Sequence, residues 1–208
     1  MEKSRKLLII DNYLSVDRHH ERFKRFDEIL KKIENLQYEI LHFENLKNRD
    51  LSEFDLIILT GSVTSLHIKE NVEKYLDEIE LIKATEKPIL GICFGHQLIA
   101  KAFGFNIIRM KDENVEWDNK EIELKLKPFE LCDKEKIWVE EYHKEEIEYT
   151  PDLEKVFDIL ASTENCQVQI IRHKKKEIFG VQFHPETYPD SKIKEGGEEI
   201  IKKFVRLV

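Results

Sequence analysis

Short apolar runs and amphipathic stretches alternate through the first half of the chain. The runs have the length and composition of buried parallel strands: KLLIID, YEILHF, FDLIILTGS and KPILGIC. Between them, residues 16–35 carry apolar side chains three or four positions apart, as one face of a helix requires, and residues 72–86 repeat that pattern. A third helical stretch, 96–104, ends at Gly104, a residue suited to the left-handed cap of a helix. This alternation predicts a doubly wound α/β fold.

After Phe105 the pattern changes to alternating apolar and polar residues without long helical stretches between them. A period of two is typical of strands with one buried face, so we expect a smaller antiparallel strand region in the C-terminal half. The last stretch, GGEEIIKKFVRLV, predicts a closing amphipathic helix with glutamates near its positive amino end. Because no linker or repeat interrupts the pattern, we expect one domain over residues 1–208, built on a largely parallel central sheet flanked by helices.

The charge balance bears on the partners of the protein. With 34 basic and 42 acidic residues the formal net charge is −8, so phosphates are repelled overall and nucleic acid is not expected as a partner. The first apolar run ends at Asp11 and is too short for a signal peptide or a membrane span. We therefore expect a cytoplasmic protein that does not associate with membranes.

The cysteines are widely spaced and form no Cys-x-x-Cys pair, so neither a disulfide framework nor a zinc site is expected. Cys132 and Cys166 have no flanking glycines and no base close in sequence. We expect ordinary thiols at these two positions and no metal site in the chain. Cys93 has different surroundings.

Cys93 lies between Gly91 and Gly95, where the fourth apolar run meets a helical stretch. Gly-x-nucleophile-x-Gly at a strand-to-helix turn is a nucleophile elbow, which exposes the middle side chain at the end of a sheet. Amide hydrogens at the start of the helix, that of Phe94 especially, can bind an oxyanion, and the helix dipole favours a thiolate. Cys93 is therefore a candidate nucleophile, although most cysteines in cytosolic proteins are simply small buried residues.

A cysteine nucleophile needs a base, and the segment EIFGVQFHPET offers one. IFGVQF predicts a strand, His184 follows at its end, and Pro185 prevents further pairing. Glu186 lies two residues beyond His184, so in an extended chain both side chains point to the same side. The carboxylate can then orient the imidazole and stabilise its charged form.

Two segments resemble those of the class I (triad) glutamine amidotransferases. PILGICFGHQLIAKAFG is similar to the nucleophile segment of that family, and GVQFHPE to its His-x-Glu segment, in the same order along the chain. The resemblance implies that Cys93 attacks the side-chain amide of glutamine, that His184 transfers protons and that Glu186 orients the histidine. It also implies a cysteinyl thioester, release of ammonia, no cofactor and a flavodoxin-like architecture.

The resemblance extends to candidate substrate-binding residues. Gln97 matches a family position that helps to hold glutamine, and EEYHKEEI resembles the segment whose backbone contacts the amino-acid end of the substrate. Tyr142 and His143 lie in that segment. Considered alone, Gln97 and His143 are equally well explained as polar residues near a turn that hydrogen-bond to the backbone.

One segment departs from the family pattern. The third strand of the family is usually followed by Gly-Gly-Pro, and one of those amides completes the oxyanion hole. Here the matching segment is LTGSVTS, in which Gly61 remains and Ser62 takes the place of the second glycine. A β-carbon at that position restricts the positive backbone angles that glycine permits. We expect the amides of Gly61, Ser62 and Phe94 to form the hole, in a geometry that the serine can alter.

Three functions remain open at this point. ASTENCQVQIIRH resembles the subunit that supplies ammonia to GMP synthetase, and since the chain has no nucleotide-binding signature, use of the ammonia implies a synthetase partner. The Thr-Gly-Ser segment also resembles a branch that cleaves γ-glutamyl bonds in peptides or conjugates without a partner. The third function is that of a catalytically weak relative with a binding or regulatory role, favoured if the altered loop cannot donate to an oxyanion.

Overall fold

The computed structural model of the protein describes residues 4–15, 19–110, 119–123, 129–187 and 197–208. The strands are β1 (Arg5–Asp11), β2 (Leu36–His42), β3 (Leu56–Leu59), β4 (Ile89–Ile92), β5 (Ile107–Arg109), β6 (Asn119–Glu123), β7 (Lys136–Glu140), β8 (Glu145–Ile147), β9 (Phe157–Ala161), β10 (Ile170–His173) and β11 (Ile178–Val181). The α-helices are α1 (His19–Leu30), α2 (Lys69–Val72), α3 (Leu76–Ala84), α4 (Phe94–Ala102), α5 (Leu153–Val156) and α6 (Glu198–Val205).

Within the described residues, seven strands form one sheet in the order β2-β1-β3-β4-β11-β10-β9. Neighbouring strands from β2 to β11 are parallel, whereas β10 is antiparallel to both β11 and β9. The doubly wound, largely parallel sheet predicted from the sequence is thus confirmed. The carboxyl ends of β3, β4 and β11 lie at the same edge of the sheet, where ligands bind in folds of this kind.

The smaller antiparallel strand region expected in the C-terminal half is present, and part of it continues the central sheet. β9, β10 and β11 extend the central sheet, and β11 pairs with β4 in parallel register. Two antiparallel pairs, β5 with β8 and β6 with β7, lie outside that sheet. Of the strand expected around residues 114–127, part lies outside the described residues. A period-two pattern shows that a strand has one buried face but not which sheet it joins.

The core occupies both faces of the central sheet, as the apolar runs require. Leu7 and Ile9 of β1 are fully buried on the face covered by α1 and α6. Their neighbours Leu8 and Ile10 are fully buried on the opposite face, against α3 and α4. Burial of every residue in such a run is what distinguishes a central parallel strand from one with a solvated face.

The helix ends follow the sequence signals. Gly104 has φ +90° just past the end of α4, the left-handed conformation expected of a glycine cap. Glu198 and Glu199 occupy the first turn of α6, and Lys202 and Lys203 its last turn, as the helix dipole favours. Within the described residues, no helix combines the length and apolar character that crossing a bilayer requires.

Candidate active site

Cys93 forms a sharp turn between β4 and α4. Its backbone angles are φ 51° and ψ −99°, which a residue with a β-carbon adopts only when the surrounding structure imposes them. The amide of Cys93 donates to the carbonyl of Val181 at 2.8 Å, which ties the turn to β11. A β-carbon on Gly91 would lie 2.5 Å from the carbonyl oxygen of Gly95, and one on Gly95 would lie 2.4 Å from that of Leu59. Only glycine fits these flanking positions.

His184 follows the neighbouring strand and is fixed by its backbone. Because β4 and β11 are parallel with Ile92 opposite Val181, the segments that leave both strands emerge side by side at one edge. The amide of His184 donates to the carbonyl of Glu140 at 2.9 Å. The residue is 9% exposed, so the imidazole is largely shielded from water.

The structure brings Cys93, His184 and Glu186 together. The Nδ1 atom of His184 lies 2.8 Å from Oε1 of Glu186, and the sulfur of Cys93 interacts electrostatically with the imidazole. Burial acts to lower the pKa of His184, but the carboxylate of Glu186 and the sulfur of Cys93 outweigh it and raise that pKa well above its ordinary value. The imidazolium form is therefore favoured between these two groups.

The loop after β3 borders this trio. A β-carbon placed on Gly61 would lie 3.0 Å from Cε1 of His184 and 3.8 Å from Cβ of Cys93, so the Gly61 backbone closely approaches both side chains. Phe94 is the first residue of α4, and the first amides of a helix have no hydrogen-bond acceptor within the helix. The amides predicted for an oxyanion hole thus come from elements that flank the sulfur.

Ser62 adopts an ordinary backbone conformation. Among the described residues, the non-glycine positions with positive φ are Asn35, Asn48 and Cys93, and Ser62 is not one of them. Its hydroxyl donates to Oγ1 of Thr64 at 3.0 Å and accepts the Thr64 amide at 3.2 Å. The backbone of Ser62 therefore does not need the positive φ that a β-carbon disfavours. Its side chain stabilises the turn through these hydrogen bonds.

A pocket of about 400 Å³ opens beside Cys93. Gln97, Tyr142 and His143, the predicted substrate-binding residues, all contribute to its wall. The Nε2 atom of Gln97 donates to the backbone carbonyl of Glu145 at 2.8 Å, and Nδ1 of His143 lies 3.1 Å from the same oxygen. Both side chains are thus held by the backbone while they line the pocket.

Glu145 is a residue of this wall that sequence reasoning missed. Its carboxylate accepts the backbone amide of Leu66 at 2.8 Å, lies 2.6 Å from Nδ1 of His67 and contacts the hydroxyl of Ser65. Because Glu145 begins β8, these bonds join the loop after β3 to the segment that carries Tyr142. In the sequence, Glu145 is one glutamate among many, and no local signal distinguishes it.

Gln182 is the second residue that sequence reasoning missed. It is fully buried, directly follows β11, and its Nε2 atom lies 3.6 Å from the sulfur of Cys93. Gln182 lies within the segment GVQFHPE, and this position is the sequence signal that could have identified it. The histidine and the glutamate of that segment already explained its likeness to the family, so the glutamine was given no role. The segment that carries His184 thus also places a polar side chain against the Cys93 sulfur.

A second pocket of about 400 Å³ touches the histidine rather than the cysteine. Aromatic side chains contribute to its walls, among them Phe23, Phe26 and Tyr142. His184 and Glu186 also line it, and Ser62 and Tyr142 line the first pocket as well. Cys93 thus lines the first pocket and His184 the second.

The remaining cysteines and a nearby histidine differ from Cys93 and His184. Burial raises the pKa of the Cys132 thiol and, more strongly, that of the Cys166 thiol, so both stay protonated, as expected of ordinary thiols. Burial lowers the pKa of His96 to about 3, and its Nε2 atom lies 3.1 Å from the carbonyl of Val168. Across the described ranges, no three His, Cys, Asp or Glu side chains are grouped so as to hold a metal ion.

Comparisons with known proteins give a consistent result. A family model described as "Glutamine amidotransferase class-I" matches residues 8–207. The A subunit of GMP synthase (glutamine-hydrolyzing) from Methanobrevibacter smithii is 31% identical over 206 residues, covering 97% of this chain and 95% of that protein. The corresponding protein from Pyrococcus abyssi, which carries the same name, is 38% identical over 155 residues, 73% of this chain and 74% of that protein.

Solved structures extend the likeness to the fold. The crystal structure of a protein described as the A subunit of a GMP synthase from Thermoplasma acidophilum matches with a TM-score of 0.78 and 26% identity, covering 99% of this chain and 94% of that chain. A glutamine amidotransferase from Thermotoga maritima matches with a TM-score of 0.69 and 20% identity, covering 99% of this chain and 82% of that chain. The second match bears on the fold alone.

Proposed function

Because the chain belongs to the class-I glutamine amidotransferase family, we propose that Cys93, His184 and Glu186 form a catalytic triad that hydrolyses the side-chain amide of glutamine. The observation that carries this proposal is the position of the His184 imidazole, which is hydrogen-bonded to Glu186 and lies beside Cys93. This arrangement supplies a nucleophile, a proton carrier and an orienting carboxylate at the edge of one sheet.

The reaction begins when the Cys93 sulfur attacks the amide carbon of glutamine and the carbonyl oxygen becomes an oxyanion. Amides of Phe94 and of the Gly61–Ser62 loop stabilise that charge. His184 gives its proton to the leaving nitrogen, ammonia departs and a thioester remains. His184 then takes a proton from water, the hydroxide attacks the thioester, and glutamate leaves as the sulfur and the imidazolium are restored. None of these steps draws on a cofactor.

The pocket beside Cys93 is the proposed glutamine site. Gln97, Tyr142 and His143 line it, so the amino-acid end of the substrate is placed against them while the amide reaches the sulfur. Glu145 holds the two sides of this pocket together through its bonds to Leu66 and His67. A wall fixed in this way keeps the reacting atoms at a constant separation.

We further propose that the ammonia is delivered to a synthetase partner. The similar proteins from Methanobrevibacter smithii and Pyrococcus abyssi carry the name of a GMP synthase subunit, and the match to the former covers nearly all of both chains. The companion subunit of a GMP synthase is therefore the proposed partner.

Hydrolysis of γ-glutamyl peptides or conjugates is a second candidate function. The second pocket favours it, because a cavity of about 400 Å³ beside His184 is larger than the volume that a departing ammonia molecule occupies. His184 protonates the leaving nitrogen, so a substituent on that nitrogen would extend toward this cavity. The chemistry at Cys93 would be the same.

Ammonia release from glutamine, with and without the companion subunit of a GMP synthase, tests the proposal. We expect measurable release that rises about tenfold or more with the companion, as for a site completed by docking, and none from Cys93→Ala. Cleavage of a γ-glutamyl dipeptide without the companion, faster than that of glutamine, would favour the second candidate. Equal background from the native protein and Cys93→Ala with every substrate would contradict both.

A further inference from the structure

Gln182 occupies an enclosed position between the nucleophile and the glutamine pocket. It is fully buried, and its backbone amide donates to the carbonyl of Gln169 at 2.8 Å, which fixes the chain just beyond β11. Its side-chain amide contacts both Gln97 and the sulfur of Cys93. Burial of an amide costs free energy unless its polar atoms are hydrogen-bonded, so these contacts determine how the Gln182 side chain is oriented.

The neighbours determine which end of the Gln182 amide faces the sulfur. A backbone carbonyl can only accept, so the Gln97 atom 2.8 Å from the Glu145 carbonyl is the nitrogen, Nε2. The same nitrogen lies 3.1 Å from the Gln182 amide, which must therefore present its oxygen there. The Nε2 of Gln182 is left facing the sulfur of Cys93 at 3.6 Å.

We propose that Gln182 is a further catalytic residue, which donates a hydrogen bond to the ionised sulfur of Cys93 and holds it in position for attack. The proposal rests on the triad assigned above. The imidazole of His184 interacts electrostatically with the same sulfur. The oxygen of Gln182 accepts from Gln97, which lines the glutamine pocket, so one line of hydrogen bonds joins the substrate-binding wall to the nucleophile.

Two substitutions separate donation from packing. Gln182→Met keeps a side chain of similar length but removes both polar contacts. Gln182→Glu keeps the shape and the oxygen that accepts from Gln97, but a carboxylate cannot donate to the sulfur. We expect kcat for glutamine to fall about tenfold to a hundredfold in both variants, with a smaller change in KM, as for the loss of one hydrogen bond to a charged group.

A pH series makes the test specific to donation. When the carboxyl group introduced by Gln182→Glu is protonated it can still donate, so the ratio of native to Gln182→Glu kcat is expected to increase as pH rises. A purely structural role for Gln182 predicts no such trend. Alkylation of Cys93 by iodoacetamide at fixed pH is expected to slow in Gln182→Met, because the ionised sulfur, which is the reactive form, loses a donor.

Gln169→Met is the matched control. Gln169 is equally buried, and its side chain contacts Glu141 and Thr163 rather than the sulfur. We expect it to lower the melting temperature while kcat stays within about threefold of the native value. A Gln97→Met, Gln182→Met double variant should lose less activity than the product of the single losses, since the two amides form one contact.

The outcomes distinguish this inference from the proposed function. If the native protein hydrolyses glutamine and Gln182→Met and Gln182→Glu match the Gln169→Met control, the role of Gln182 is wrong and the triad stands. If the native protein releases no ammonia, the proposed function fails, and the alkylation rate alone decides whether Gln182 supports the sulfur. If Gln182→Met does not fold, Gln182→Glu, which keeps the shape, carries the test.

Discussion

At the scale of single residues, the site depends on close approaches that leave little room for change. Cys93 has a left-handed φ of 51°, a conformation that costs about 1–3 kcal/mol and persists because β4 and α4 fix both sides of the turn. Gly61 lies where any side chain would press on the His184 ring. The position of the sulfur and of the imidazole is thus set by the backbone around them.

Replacing Gly61 with alanine tests this closeness. The added methyl group would lie 3.0 Å from Cε1 of His184, so the ring must shift by a few tenths of an ångström. We expect kcat for glutamine to fall about tenfold with little change in melting temperature, because displacement of His184, the proposed proton carrier, costs rate steeply. Steady-state kinetics and thermal unfolding check this. The kcat of Gly61→Val should be lower still. A native kcat in both variants would show that the His184 ring can move without loss of activity, which would contradict the prediction.

Sequence motifs were enough to single out Cys93, His184 and Glu186, because an elbow and a His-x-Glu pair are local patterns. Gln182 and Glu145 could not be found in that way. Their importance comes from contacts with Cys93 and Leu66, residues far away along the chain, and such contacts exist only once the sheet has formed. The predicted effect of Ser62 on its backbone also required the structure, because φ cannot be read from residue type.

At the scale of elements, parallel pairing of β4 with β11 places the cysteine and histidine segments side by side. β8 then brings Glu145 against the loop after β3, and that carboxylate joins the two walls of the pocket. The strands and helices of the first half followed from hydrophobic periodicity. The pairing of β8 with β5, and of β9 and β10 with the central sheet, did not, because periodicity carries no information about strand neighbours.

Glu145→Ala tests the link between these elements. The substitution leaves the buried amide of Leu66 without its acceptor and removes one partner of His67, so the loop after β3 loosens. We expect KM for glutamine to rise by about tenfold, more than kcat falls, together with a lower melting temperature. Glu154→Ala, which removes an exposed glutamate, is the control and should change neither. A fall in kcat alone, with KM unchanged, would show that Glu145 does not shape the pocket.

At the scale of the whole molecule, stability depends on a buried acid that Asn12 links to the end of β3. Glu78 of α3 is 1% exposed, and its Oε1 accepts from Asn12 at 3.1 Å. Asn12 also donates to the carbonyl of Thr60, the residue before Gly61. Burial raises the pKa of Glu78 from 4.5 to about 8, against the opposing effect of the Asn12 hydrogen bond.

The sign of the pH dependence follows from that shift. The unfolded chain releases the Glu78 proton near pH 4.5 and the folded chain only near pH 8, so stability falls as pH rises between these values. Glu78→Gln removes the coupling between protonation of residue 78 and stability. The melting temperature of this variant minus that of the native protein should therefore increase by roughly 3 °C or more from pH 5 to pH 8. Glu80→Gln, an exposed change on the same helix, is the control. A difference that stays constant with pH would contradict the buried acid.

The fold class could be predicted because alternating strand and helix patterns leave few alternatives for the arrangement of layers. The network around Glu78 could not, since a glutamate in an amphipathic helix is ordinarily solvated, and the contact of its carboxylate with Asn12 joins segments far apart along the chain. The segment ASTENCQVQIIRH already pointed to a GMP synthetase partner, and the similarity to GMP synthase subunits supports that proposal.

The most direct measurement is the site of attack by an electrophilic glutamine analogue, such as a diazoketone, mapped by peptide mass spectrometry. A Cys93 sulfur activated by His184 beside a glutamine pocket predicts one adduct per chain on the Cys93 peptide, lost in Cys93→Ala and greatly slowed in His184→Ala. Modification of Cys132 or Cys166 instead, or equal labelling rates in the native protein and His184→Ala, would contradict it.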